Sequence, residues 1–368
     1  MTLGIAPAME GRAPPRSSLG AGPRLAPASI LIVRLGAIGD VVHGLPLLCR
    51  LRRGFPAAWI AWAVGPAAAP LLDGHPALDE RIVLEKRAPV SFLRRCLALR
   101  GRFEVAIDLQ GLVSSALAAA IAGARRRLSF DRARTREGAF LFHTERLLPA
   151  ARDGPIVAQN LAFADALGAP PAPIEFRLAP GEKARERARA LLANEPFAAI
   201  ILGAGKAANR PGAALLAESA RRLARAGLLP VLFGGPTDRA EGRAIAAESG
   251  ARDLVGATDL ATLAALLERA AVAIGGDTGP IHIAAALGTP VVAIFGPANP
   301  GRTGPVGARS RVLWRRWPCA PCYRRQCPTD RGCMASISAD EVVAAALDLG
   351  AKAPFLPRAP LCGGAFLL

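Results

Sequence analysis

Aromatic residues make up only 5% of this 368-residue chain, with a single tyrosine, and acidic residues are few, 29 against 46 Lys and Arg. The formal net charge of +17 is carried almost wholly by arginine, lysine occurring only at Lys86, Lys183, Lys206 and Lys352. A basic balance invites a nucleic-acid partner. However, no basic stretch is interleaved with aromatic rings, no zinc-finger spacing occurs, and no single concentrated basic run is present, so nucleic acid is not expected. The arginines are then either spread over solvated helix faces or form a basic face for an anionic membrane or acidic glycolipid.

No apolar run reaches the roughly 18 residues that a spanning helix needs. Residues 1–28 are rich in Ala, Pro, Gly and Arg without the compact apolar core of a signal peptide, and they read as a disordered extension or a misassigned start. Four of the seven cysteines crowd between Cys319 and Cys333, which is not the distribution of a secreted disulfide framework. The expected location is cytoplasmic, with peripheral contact at a membrane compatible with the charge.

Apolar residues are abundant at 52%, enough for sizeable cores, and the length suits about two domains. Apolar runs alternate with helical patterns twice, the βαβα signature of parallel sheets. In the first half strands are predicted at Ser29 to Arg34, Ala58 to Val64 and Glu104 to Leu109, with helices over Val41 to Arg53 and from about Leu112. The second half restarts at Ala198 to Leu202, with strands at Pro230 to Phe233, Ala271 to Ile274 and Val291 to Phe295. The proline-rich stretch Ala169 to Glu182 reads as the linker, followed by a charged helix to Asn194. This divides the chain into an extension (1–28), a first domain (29–176), a second domain (177–352) and a tail (353–368). Each is expected to be a doubly wound α/β domain of Rossmann type, the two facing one cleft, because ligands bind beyond the carboxyl ends of parallel strands.

Four glycine-bearing segments follow predicted strands. In RLGAIGDVVHGLP (Arg34 to Pro46), Asp40 opens a helix, either as its N-cap or as a general base facing the cleft. His43 lies one turn on and either shares that face or is structural. In LGAGKAANRPG (Leu202 to Gly212), Lys206, Asn209 and Arg210 either donate to a diphosphate or form an exposed polar loop. In FGGPTDRAE (Phe233 to Glu241), Asp238 or Glu241 either accepts from ribose hydroxyls or starts a helix. In GGDTGPIHIAAALGTPVVAIFGP (Gly275 to Pro297), Asp277, Thr278, Gly279 and His282 gather at a helix start, where free N–H groups and the helix dipole suit a phosphate.

The G-x-G-x-x-G dinucleotide spacing is absent, which argues against a nicotinamide oxidoreductase. Cys319, Cys322, Cys327 and Cys333 form C-x-x-C-x4-C-x5-C, readable as reduced structural thiols, as a structural zinc site, or as iron–sulfur or redox chemistry.

Together GDVVHGLP, DLQGLVSSAL (Asp108 to Leu117) and the Gly275–Pro297 segment resemble glycosyltransferase family 9, the lipopolysaccharide heptosyltransferases and their relatives, over roughly Ser29 to Leu349. The resemblance implies a GT-B fold, with an acceptor on the first domain and an ADP-sugar on the second. It further implies inverting transfer of heptose from ADP-heptose to the lipopolysaccharide inner core, with no metal or other cofactor required. Asp40 matches the family's proposed catalytic base, and Asp277, Thr278, Gly279 and His282 match its D-T-G-x-x-H donor motif. Lys206, Asn209, Arg210 and, more weakly, Asp238 fall on the donor side, and Arg34, His43 and Gln110 on the side of a lipid-linked anionic acceptor. The family's loop usually ends in a basic or amide residue, then Arg-Trp-Pro. Here Asn209 and Arg210 run straight into Pro211, so a relative using another nucleotide sugar stays open, as does a non-catalytic nucleotide- or polyanion-binding protein. Arg94, Arg95 and Arg125 to Arg127 are the expected basic surface for acceptor or membrane.

Overall fold

Strand formation follows the apolar runs. SILIV, WIAWAV and VAID are almost continuously apolar, as parallel strands buried on both faces must be, and they form β1 (Ser29–Val33), β2 (Trp59–Val64) and β4 (Val105–Asp108). With β3 (Glu80–Val83), β5 (Arg126–Phe130) and β6 (Glu145–Leu147) they make an all-parallel sheet ordered β3-β2-β1-β4-β5-β6. A second all-parallel sheet contains β7 (Phe197–Ile201), β8 (Leu229–Phe233), β9 (Arg252–Asp253), β10 (Val272–Gly276), β11 (Val291–Phe295) and β12 (Ser310–Trp314). Its order, β12-β11-β10-β7-β8-β9, is the same 3-2-1-4-5-6 arrangement counted from its own first strand. The structure is a computed structural model describing residues 26–147, 154–193, 195–307, 309–329 and 332–351. Most of the expected extension and all of the tail at 353–368 lie outside the described residues.

Side-chain alternation covers each sheet on both faces. Ile30 and Ile32 of β1 point to one side, where α2 (Leu45–Gly54) and α5 (Ile156–Leu167) pack, with Leu48 and Phe163 in the same core. Leu31 and Val33 point to the other, against α3 (Pro89–Leu97) and α4 (Val113–Ile121) through Cys96 and Ala118. The second sheet is clad likewise. On one face lie α7 (Ala213–Arg225), α8 (Arg239–Ser249) and the C-terminal helix Ala339–Ala351, which join Ile200, Leu216, Ile245 and Val342. On the other lie α9 (Leu260–Arg269) and α10 (Gly279–Ala286), which join Phe197, Leu266 and Ile283.

Between the sheets residues 168–181 carry no regular secondary structure, as the prolines predict. This stretch is fastened to the first half. Arg50 on α2 donates to Ala169 O (2.8 Å) and Pro170 O (2.9 Å), and His75 Nε2 lies 2.9 Å from Phe176 O. The following helix α6 (Glu182–Leu191) stops short of Asn194, which is outside the described residues. The helix expected over Val41 to Arg53 is two, α1 (Ile38–Val42) and α2, with a turn at His43 and Gly44.

Candidate active site

The carboxyl ends of β1 and β10 bring their following helices, α1 and α10, into contact across the gap between the sheets. Two glycines make that possible. A Cβ on Gly39 would lie 2.8 Å from His282 Cδ2, and one on Gly279 would lie 2.7 Å from Ile38 Cγ2. A larger residue at either position would require the facing side chain or the helices themselves to shift. His43, in the turn just after α1, then meets His282 of α10 edge-on, ring centroids 4.4 Å apart.

On the first side, Asp40 is the third residue of α1 and not its N-cap. Its Oδ2 reaches back to accept from Ala37 N–H at 3.1 Å and forms an ion pair with Arg34. The Asp40 side chain keeps 40% of its surface exposed against 16% for Arg34, so the carboxylate stays open to solvent while the guanidinium that holds it is largely covered. Burial alone would raise the Asp40 carboxyl. The Arg34 guanidinium and the Ala37 N–H outweigh it and hold the group below the usual carboxylate range. His43 is pushed well below the ordinary imidazole value by burial and by the neighbouring His282, and is neutral at physiological pH.

Arg34 also donates to Leu109 O, and Gln110 Oε1 accepts from Leu35 N–H at 2.8 Å, so Gln110 braces the β1–α1 loop. Beneath them lies a fully buried pair absent from the sequence reading. Asp108 accepts from His143 Nε2 (3.0 Å) and from the N–H groups of Gln110 (2.8 Å) and Gly111 (3.0 Å). Asp108 ends a strand in the DLQG segment, which is a signal for it; His143 has none.

On the second side, Asp277 is committed to structure. His282 Nε2 lies 3.1 Å from its Oδ1, and its Oδ2 accepts from Asn209 Nδ2 and Thr303 Oγ1 at 3.4 Å each. Asn209 also donates to Asp277 O at 3.1 Å, tying the Leu202–Gly212 loop to the start of α10. Thr278 is the N-cap of α10, its hydroxyl making no capping bond. Lys206 is half-buried and forms no ion pair among the described residues. Arg302, on the turn Pro300–Thr303 after β11, lies near enough to His43 to act on its charge. It was missed because only the glycine–proline turn marks it in the sequence.

A cavity of about 310 Å³ opens beside α10. Ile201, Phe233, Leu260 and Leu263 supply apolar wall, Arg210, Asp238, Thr258 and Thr278 supply polar groups, and Ile38 reaches in from the first half. This is at the small end of ordinary ligand sites, roughly 300–1,000 Å³. Of the expected donor residues, Arg210, Asp238 and Thr278 line it, whereas Lys206, Asn209, Asp277, Gly279 and His282 do not. Arg210 is not a free cation. It pairs with Asp238 (2.7 Å) and with Glu241, leaving that trio net negative.

Two further expectations change. Arg126 is locked to Glu145 and Arg127 donates to Phe142 O and Ala124 O, because both sit on a strand next to the sheet edge and satisfy neighbouring acceptors. Neither is basic surface, whereas Arg94, Arg95 and Arg125 are exposed. The four clustered cysteines do lie near one another: burial raises the Cys333 thiol, and Cys319, Cys327 and Cys322 raise it further. Among the described residues, however, no group of three or more His, Cys, Asp or Glu is arranged to hold a metal ion, so no ligand shell for zinc is formed there. Nor is any helix of the described residues long and apolar enough to cross a membrane.

Comparison with known proteins places this architecture. Residues 93–332 match glycosyltransferase family 9 (heptosyltransferase). The chain is 28% identical over 313 residues to lipopolysaccharide heptosyltransferase 1 of Pseudomonas aeruginosa, covering 81% of this chain and 87% of that one. A glycosyltransferase family 9 structure from Veillonella parvula superposes with a TM-score of 0.77 at 22% identity, over 89% and 98% of the two chains. E. coli heptosyltransferase WaaC with ADP superposes at 0.70 and 23%, over 87% and 99%. The chain belongs to glycosyltransferase family 9, the lipopolysaccharide heptosyltransferases, and is a glycosyltransferase of the GT-B fold.

Proposed function

We propose that the protein transfers heptose from ADP-heptose to the lipid-linked inner core of lipopolysaccharide, with inversion, the acceptor held by residues 29–176 and the donor by residues 177–352. The observation that carries this reading is the opposition of the half-buried Asp40 carboxylate on one side and the start of α10 on the other, held in register by the contact of Gly39 with His282 and of Gly279 with Ile38. WaaC, of the same fold, was solved with ADP and with ADP-2-deoxy-2-fluoro heptose, which supports an adenosine diphosphate sugar as donor.

In this mechanism the nucleoside occupies the cavity lined by Phe233, Leu260 and Leu263, with Asp238 and Thr237 at its polar end. The diphosphate lies at the first turn of α10, where unpaired N–H groups and the helix dipole meet it, with Lys206 and Arg302 as cations. Asp40 takes the proton of the acceptor hydroxyl as its oxygen attacks the anomeric carbon. The bond to the diphosphate breaks on the opposite face, and its electron pair leaves with ADP. Arg34 keeps Asp40 ionised and aimed, which lowers its basicity; proton transfer is then expected late, with alignment and charge stabilisation at the leaving group carrying more of the rate. Asp277, Asn209 and His282 position the helix start and do not touch the sugar.

A second reading, transfer of another nucleotide sugar, is favoured by the absence of the family's usual tryptophan between Arg210 and Pro211 and by the salt links of Arg210 on the cavity wall. Turnover with a panel of nucleotide sugars and a deacylated inner-core acceptor decides between them. ADP-heptose is expected to give the highest kcat/KM. A different sugar giving the highest value overturns the donor assignment, and ADP binding without product from any donor supports a non-catalytic binding protein.

A further inference from the structure

We infer that α3 is a docking face for an anionic lipid bilayer. The helix carries two apolar rows. Phe92 and Cys96, with Leu99 just past its end, face the sheet. Val90, Leu93 and Leu97, spaced i, i+3 and i+7, face outward and are 81%, 48% and 50% exposed. Single exposed apolar residues are ordinary, but these three follow one stripe of a nine-residue helix, and no other described element covers them.

The charge around the stripe selects its occupant. Lys86 and Arg87 precede the helix, Arg94 and Arg95 lie within it, and Arg100 follows it; all five are exposed. Among the described residues none of the five forms an ion pair. Nearby arginines outside the ridge behave differently, Arg102 pairing with Glu80 and Arg126 with Glu145. A soluble anion would engage the arginines and leave the leucines wet. An acidic headgroup layer over acyl chains satisfies both, as interfacial helices do. α3 starts beyond the carboxyl end of β3, so its amino-terminal end lies on the cleft side of the first sheet, and docking would bring the cleft rim to the bilayer. Docking requires neither Asp40 nor the donor cavity and stands or falls apart from the transfer reading.

Flotation of the full chain with phosphatidylethanolamine–phosphatidylglycerol vesicles, against phosphatidylcholine vesicles, tests this. The wild type is expected to float with the anionic vesicles only, and less as salt rises. At about fivefold for each basic residue near an anionic surface, Arg94→Gln/Arg95→Gln should lower partitioning about 30-fold. Leu93→Gln/Leu97→Gln should lower it while all five charges remain. Arg225→Gln/Arg243→Gln, which removes two charges from the other half, should leave it unchanged. ADP binding and thermal unfolding, followed in parallel, should not move in any variant. Equal flotation with both vesicle types overturns the inference. So does wild-type flotation by either α3 variant, an equal loss in the control variant, or conversion of a dimer to monomer by Leu93→Gln/Leu97→Gln with flotation intact.

Discussion

Adding one methyl group at Gly279 tests how closely the two halves must approach. In Gly279→Ala the new Cβ would stand 2.7 Å from Ile38 Cγ2 and 2.9 Å from Ile38 Cβ. Carbon atoms rest at about 3.5–4.0 Å, so the faces of α1 and α10 must separate by roughly 1 Å. Alanine is a better helix former than glycine by about 1 kcal/mol in a helix interior and by less at the first position of α10, which offsets a small part of the strain, so global stability should change little. The loss falls on alignment: a displacement of about 1 Å costs about 10²-fold where two reactants are held in line. Steady-state turnover should therefore show kcat down about 100-fold, with ADP affinity close to wild type. Ile38→Gly removes both clashing atoms, and the double variant should recover much of that loss, giving a favourable coupling in the double-mutant cycle. Wild-type kcat in Gly279→Ala, or a double variant no better than the single one, would refute the close-approach reasoning.

Other outcomes are expected from the same geometry. Arg34→Gln removes the cation that depresses Asp40 and leaves the burial that raises it, so the acid limb of kcat/KM should move to higher pH. The sign follows because the base works only when ionised: activity is present above the Asp40 pKa and lost as pH falls through it, and superimposable profiles would sink the pairing. Asp108→Ala should strand His143 and the Gln110 and Gly111 N–H groups, costing on the order of 3 kcal/mol in guanidinium unfolding. Lys206→Ala and Arg302→Ala should each weaken ADP binding roughly tenfold, as loss of a charged phosphate contact does, with adenosine affinity unchanged in calorimetry. Equal loss for adenosine would move these residues away from the phosphates.

The interior of both sheets was readable from the apolar runs because strands buried on two faces are continuously apolar, as in β1, β2, β7, β10 and β11. The unread strands were mostly at edges. β3 (ERIV), β6 (ERL), β9 (RD) and β12 (SRVLW) carry charges that water tolerates there. β5 was masked by Arg126 and Arg127, whose partners Glu145, Phe142 and Ala124 are set by tertiary structure. Motif positions around the cleft were legible because glycine turns after strands mark where backbone approaches backbone. Their division of labour was not, since Asp277 and His282 hold one another and Arg210 is claimed by two carboxylates.

The central claim is that a carboxylate on the first half and an anion site on the second act together on one bond. Single-turnover transfer from ADP-heptose by Asp40→Asn tests it most directly. The claim requires the chemical step to slow by about 10²–10⁴-fold while ADP binds as in the wild type. Transfer at the wild-type rate by that variant would contradict it.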